Sequence, residues 1–374
     1  MVIEKIYKAH DIFKELRRFH SGLELQLLSY IASYRICNNL EYDDLSIFQL
    51  INQQAQDGDI VAEEFLALQK RISISYFGTG DLDKHGRMKA SDARRSAGVF
   101  KNEPLIDILF KEILESYLDR AVSVCPMTLM THDIDKVSYV EKPLTLLKSI
   151  AGDIVKRKRF YPQRISHFFT KRSVHSNILK LFDDQFEHIY LLLPRKSRLN
   201  ADYPISFFKK NPSFQKRADV GFHYSYEAIN SKELLLKQFQ SLKDFNLSRF
   251  VRGHYLRRSK TSDEFIDDMD LIDLTPCDSE VGGFYIPSSY PFYIHKDRNN
   301  GNFILNTTFM DVVYHFMDAS YTERKNLIQR NIKYIKSNGG FFVVNWHNTS
   351  FWWGDWPFEI ISYSYLKSKI CEYF

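Results

Sequence analysis

The spacing of apolar positions changes character near residue 120. Before it, apolar residues recur at helical intervals. "DDLSIFQLINQQA" opens with acids suited to a helix N-terminus, then sets Ile47, Leu50 and Ile51 on one stripe. "EPLIDILFKEILESYLDRA" is clearer still: Ile106, Leu109, Ile113 and Tyr117 share a face, and Pro104 suits a first turn. The stretch from about 75 to 100 is polar, contains several glycines and reads as loop. Residues 1–120 are therefore expected to form a helical N-terminal region.

From 121 to 374 short apolar runs alternate with helical patterns. The runs are "VCPMTLMTH", "HIYLLLP", "DVGFH", "RFVRGHYL", "NFILNTTF" and "GGFFVVNWH". Helical patterns such as "SKELLLKQFQSL" and "TERKNLIQRNIKYIKSNGG" lie between them, the last ending at Gly339 where a left-handed cap residue is wanted. A helix is also expected over 141–155. Strands alternating with helices imply an α/β fold with a parallel sheet or barrel.

Composition narrows the class without naming it. The chain has 374 residues, 44% hydrophobic and 26% charged, which suits one large domain with an extension, or two domains. A net charge of +5 does not argue for nucleic acid as a partner, although basic residues cluster in "KRKRFYPQRISHFFTKR" at 156–172. Cys37, Cys125, Cys277 and Cys371 are scattered, with neither zinc-ribbon spacing nor a disulfide framework. The first 20 residues lack a signal-peptide pattern, and no apolar stretch is long enough to span a bilayer. The expectation is a soluble, cytoplasmic protein.

The chemistry is concentrated at the ends of the strand-like runs. "MTHDID" ends in Asp133 and Asp135, "DVGFH" in His223, and "FFVVNWH" in His347, while "FVRGHYL" carries Arg252 and His254. In a parallel α/β barrel, functional groups gather at the carboxyl ends of strands. If the chain stays extended, Asp133 and Asp135 point to one side and His132 to the other, and Arg252 and His254 share a face. Two carboxylates on one face repel unless a cation or a shared proton lies between them. A divalent metal would answer this, with one acid as ligand and the other free as a base. The plainer alternative is that the two acids cap the following helix. His132, on the opposite face, reads as a structural hydrogen-bonder. All four tryptophans fall within "WHNTSFWWGDW", which is either a wall for sugar rings or a hydrophobic lid. Trp346, Trp352 and Trp353, with Tyr255, are the candidate substrate-binding residues.

Taken in order, these motifs resemble the polysaccharide deacetylase family, the NodB-homology carbohydrate esterases, and more narrowly a branch whose first motif reads "THDVD". The resemblance covers roughly 120 to 374. "MTHDIDKV" is similar to that first motif, "DVGFHYSYEA" to "EIGLHxSY", "VRGHYLR" to "VRQHYLR", "PSSYPF" to a Pro-Phe motif, and "VVNWHN" to "LLWHN". It implies a distorted (β/α) barrel of about seven strands, a divalent metal, commonly zinc, and hydrolysis of an N-acetyl group on a sugar or polysaccharide substrate. By position, Asp133 matches the catalytic base and Asp135 the metal-binding acid. His223 matches the first metal histidine, Arg252 the arginine that orients the base, and His347 the general acid. Where the family has a second histidine, four residues after the first, this chain has Glu227. His254 is the candidate third ligand, with Glu227 the alternative. The chain also departs at "GGFYIP", where Tyr285 stands, and at "MDVVY", at Met310 and Asp311. Two further readings keep the same residues: a non-catalytic member that binds glycan or scaffolds an assembly, and an amidohydrolase acting on a small non-sugar amide.

Overall fold

The computed structural model describes residues 1–77, 103–137, 184–197, 203–280, 282–296, 300–317, 319–351 and 359–374, with scattered positions between them. The expected loop at 75–100, the helix at 141–155 and the basic cluster at 156–172 lie largely or wholly outside the described residues.

The helical N-terminal region consists of α1 (Val2–Leu16), α2 (Gly22–Asn38), α3 (Asp44–Gln56), α4 (Ile60–Phe77) and α5 (Leu105–Leu118). Local chemistry sets their ends. Asp43 accepts a hydrogen bond from the backbone N–H of Ser46 at the start of α3. The Glu187 carboxylate receives the N–H groups of Val2 and Ile3, at 2.9 and 2.7 Å, at the start of α1. On α5 the stripe is buried at Ile106, Leu109 and Ile113, but Tyr117 emerges into solvent.

Among the described residues, nine strands make one sheet in the order β6-β7-β5-β4-β3-β2-β1-β9-β8. They are β1 (Pro126–Ile134), β2 (Glu187–Leu192), β3 (Asp219–Tyr224), β4 (Asn246–Gly253), β5 (Ile272–Asp273), β6 (Phe292–His295), β7 (Gly301–Ile304), β8 (Phe309–Met310) and β9 (Gly340–Asn345). Every neighbouring pair is parallel except β6 with β7. The α/β architecture is as expected from the alternation, with nine strands in place of about seven. The excess comes from the β6–β7 hairpin and from two-residue strands too short to show a period.

Period two divides the sheet's side chains between two cores. Leu129, Ile189, Leu191, Phe250, Phe341 and Val343 pack on one face with Phe13, Tyr30, Tyr34 and Phe110 of the N-terminal helices. Met130, Leu192, Phe222, Val251, Phe342 and Val344 pack on the other with the helices of the alternating region, such as Tyr321–Asn338 and Glu359–Tyr373. The first face is the concave one, and a single contact shows it. Arg252 on β4 bonds Asp133 on β1 at 2.7 Å, although three strand spacings separate these strands, about 14 Å in a flat sheet. Side chains of this length meet only if the sheet curls toward them, so it forms a half-barrel with the N-terminal helices filling its hollow.

Gly339 ends the helix Tyr321–Asn338 as expected, but with φ 75° and ψ −163°. That is a positive-φ extended conformation rather than the left-handed helical one, and a Cβ there would strike the Tyr290 hydroxyl.

One buried acid ties the helices to the strands. Asp107 of α5 accepts hydrogen bonds from the Tyr30 hydroxyl (2.9 Å), the Ser288 hydroxyl (2.7 Å) and both N–H and hydroxyl of Ser289 (2.7 and 2.6 Å). The serines of "PSSYPF" thus serve an N-terminal helix. Burial raises Asp107 to about 6, against the pull of its donors. The folded state then holds the Asp107 proton more tightly than the unfolded chain does. Its contribution to stability is greatest below pH 4 and declines as pH rises from about 4 to 6, by about 3 kcal/mol. Asp107→Asn should remove that component from the pH dependence of the urea midpoint. An unchanged slope between pH 4 and 6 would contradict it.

Candidate active site

The site lies at the carboxyl ends of β1, β3, β4 and β9, on the concave face. Alternation along β1 sends Leu129, Thr131 and Asp133 inward, and Asp135, just beyond the strand, follows them. His223 comes from β3, Arg252 and His254 from β4 and the turn after it, and Asn345 and His347 from the end of β9.

Arg252 is fully buried. It donates to the Leu274 carbonyl (3.1 Å), to Oδ1 of Asp133 (2.7 Å), and through Nη2 to the hydroxyls of Thr131 (3.0 Å) and Thr307 (2.7 Å). Asp133 Oδ2 accepts from Nδ2 of Asn345 at 3.0 Å, and lies 3.7 Å from Nε2 of His347 and 3.8 Å from Nε2 of His223. Burial opposes charge on Asp133, but Arg252, His223 and His347 outweigh it and bring its pKa down to about 2. Asp133 is therefore ionised at neutral pH.

His347 is charged for the converse reason. Its Nδ1 lies 2.6 Å from Oδ1 of Asp311, whose Oδ2 receives the His347 backbone N–H at 2.7 Å. Burial disfavours the imidazolium, yet Asp311 overcomes this and raises the ring to about 9. A proton donor and a proton acceptor thus stand side by side with their pKa values driven apart, a pattern that separates acid and base roles.

Beside this pair, Asp135, His223 and His254 bring one oxygen and two nitrogens to within 4.8 Å of one another. Asp135 Oδ1 lies 3.6 Å from His223 Nε2 and 3.6 Å from His254 Nδ1. This oxygen is buried and, among the described residues, has no donor within hydrogen-bond geometry. His223 Nδ1 is 3.0 Å from the Arg252 carbonyl, which fixes a proton there and turns Nε2 toward the cluster. His254 Nδ1 is 3.1 Å from that Nε2. A buried carboxylate oxygen facing two imidazole nitrogens is a donor set that fits a divalent cation. Glu227, the alternative third ligand, instead accepts from Asn200 at 2.8 Å and lies 3.7 Å from Arg195, outside the cluster.

The candidate substrate residues separate. Tyr255 lies at the rim, 41% exposed, with its ring edge-on to His254 at 4.4 Å between centroids. Tyr255 and Leu256 both take positive φ, 58° and 56°, an uncommon pair outside glycine. Trp346 is corrected: it is fully buried on the outer face, parallel to Phe309 and packed on Tyr363, so its ring cannot stack on a ligand in the site. Trp352 and Trp353 lie outside the described residues. Thr131, Thr307, Asn345 and Asp311 were not read from the sequence. Thr131 shares the inward face of β1 with Asp133, so strand period alone could have found it.

The curled sheet and its clustered strand ends define an α/β protein with a carboxylate and an imidazole side by side, next to three side chains whose donor atoms fit a metal ion. The sequence matches no protein-family model and no curated protein. Among solved structures it is similar to one from Mycobacterium smegmatis described as a candidate polysaccharide deacetylase, with 12% identity, 66% of this chain and 84% of that chain covered, and a TM-score of 0.39. Among the described residues, no helix is long and apolar enough to cross a membrane.

Proposed function

We propose that the chain is a metal-dependent hydrolase that removes the acetyl group from an N-acetylated sugar, free or within an exopolysaccharide or cell-envelope glycan. One observation carries this reading: the Asp133 carboxylate, bound by Arg252, and the His347 imidazole, bound by Asp311, lie 3.7 Å apart next to the Asp135, His223 and His254 cluster. Those three side chains would hold the cation, and their nitrogen–nitrogen–oxygen set suits zinc. When bound, such an ion supplies an acidified water and positive charge for the developing oxyanion.

The chain's own residues do the rest. Asp133, fixed by Arg252 and Asn345, accepts the proton of the attacking water. A carboxylate as acidic as this one takes a proton poorly from ordinary water, so its place beside a cation cluster supports the pairing of the two. His347, kept charged by Asp311, gives its proton to the amide nitrogen, which would otherwise leave as a strongly basic anion. Tyr255 offers its exposed ring to the face of a sugar. Trp352 and Trp353 stay in the proposal as further aromatic contacts.

The test is metal analysis of the purified protein together with acetate release from N-acetylglucosamine oligomers. About one equivalent of divalent metal per chain is expected, with acetate release that a chelator abolishes. Asp135→Ala should weaken metal binding by at least about 100-fold and take acetate release to background. Protein that is metal-free and inactive, even after zinc is added, would sink the hydrolase reading in favour of glycan binding or scaffolding.

A further inference from the structure

On the outer face of the sheet, opposite the acid–base pair, lies a chain of polar side chains that this chemistry does not use. His132 of β1 is completely buried. Its Nδ1 is 2.9 Å from the carbonyl oxygen of Trp346, and its Nε2 is 2.9 Å from Nδ1 of His188. His188 Nε2 is 2.7 Å from Oδ1 of Asp184, and Lys367 donates to the other oxygen of Asp184 at 3.2 Å. Phe182 stacks on His132 with centroids 3.5 Å apart.

The two ends of this chain fix its protons. The Trp346 carbonyl and the Asp184 carboxylate can only accept, so His132 Nδ1 donates to the first and His188 Nε2 to the second. Burial, and then the neighbouring His188, hold His132 neutral, far below the ordinary histidine range. The single proton of His132 is therefore on Nδ1, aimed at the Trp346 carbonyl, and its Nε2 faces His188 Nδ1.

Trp346 directly precedes His347. Its N–H is already held by the Thr131 carbonyl at 2.9 Å, so the His132 bond grips the other end of the same residue. We propose that Asp184, His188 and His132 form a positioning relay that fixes the peptide linking Trp346 to His347, and so holds the His347 imidazole between Asp311 and Asp133. This rests on the reading of His347 as the general acid. Packing alone does not call for these groups. Among the described residues, the rings that pack on His132 are those of Phe182, Tyr190 and His188, and a phenylalanine would pack among them without three buried polar links.

The experiment compares His132→Phe, His132→Asn and His188→Leu. Asparagine places its amide N–H where His Nδ1–H stands and can still donate to the carbonyl. His132→Phe is expected to lower kcat about 10- to 100-fold, with KM and metal content unchanged. His132→Asn should recover most of the loss. His188→Leu, which keeps His132 but frees its proton to move to Nε2, should fall between them, and it carries the test if His132→Phe does not fold. The ¹⁵N ring resonances of His347 give a second readout independent of turnover: they should move in His132→Phe and return in His132→Asn. Unchanged kcat and unchanged His347 resonances in a folded His132→Phe protein would overturn the relay. Movement of those resonances in a chain that releases no acetate from any N-acetylated sugar would uphold the relay and sink the deacetylase reading instead.

Discussion

Asp133→Asn is expected to reduce kcat for acetate release by about 10²- to 10⁴-fold, the usual worth of a positioned general base, while leaving metal content and fold intact. The geometry makes this substitution cleaner than an alanine. An asparagine carbonyl at the Oδ1 position still accepts from Nη1 of Arg252, 2.7 Å away, so the guanidinium keeps a partner. Alanine would leave that buried cation uncompensated and confuse lost chemistry with lost stability. The amide nitrogen falls where Oδ2 now accepts from Asn345 at 3.0 Å, and Asn345 must turn to avoid opposing donors. That is a local adjustment: Asp135 and His254 of the cluster keep their side chains and contacts, and His223 Nε2 meets the new amide only at 3.8 Å. Steady-state acetate release, metal analysis and a thermal melt on one preparation would check all three parts. Activity within about threefold of wild type would remove Asp133 from the base role, since an amide cannot take the proton.

The parts of this site that were legible in the sequence share one cause. Buried parallel strands write their side-chain alternation plainly, so Asp133 and Asp135 could be placed on one face, and the carboxyl ends of successive strands could be recognised as one place in space. The same rule, applied further, would have removed Trp346 from the substrate wall. It follows Phe342 and Val344 in steps of two, which puts it on their outer face, opposite Asn345. The clustering of four tryptophans in one segment outweighed a periodicity that was already visible.

What was not legible depends on pairings distant in the chain. Asp311 stands out in the sequence only as a departure from a motif. Its role appears once β8 pairs with β9 and sets Met310 beside Asn345, which brings residue 311 to the backbone of His347. Asp107 sits on an ordinary amphipathic helix, and nothing local says that its partners are Ser288 and Ser289. The N-terminal helices carry no chemical motif, and their apolar stripes pack against the concave face of the sheet. Hydrophobic packing leaves a helical stripe in the sequence but does not say against what.

Arg252→Met is expected to cost about 3–5 kcal/mol of stability, the range for breaking a buried ion pair by removing one partner. Three features place it in that range. Arg252 is fully buried. Its hydrogen bonds join β4 to β1 through Thr131 and Asp133, and to the segments after β5 and before β8 through Leu274 and Thr307. Its loss also leaves the Asp133 carboxylate in the core with Asn345 as its remaining neutral donor. The double variant Arg252→Met with Asp133→Asn separates these causes. If the uncompensated charge dominates, the second change recovers much of the loss, giving a coupling of about 1–3 kcal/mol. If the lost interstrand ties dominate, the two losses add. Urea denaturation with a chelator present, so that metal linkage does not enter, would decide between them. Strong coupling is expected, because the carboxylate is held ionised in the core chiefly by that one guanidinium. The contact that curls the sheet is then also the one that keeps the base charged, and no substitution at Arg252 should weaken the pair without also reducing turnover.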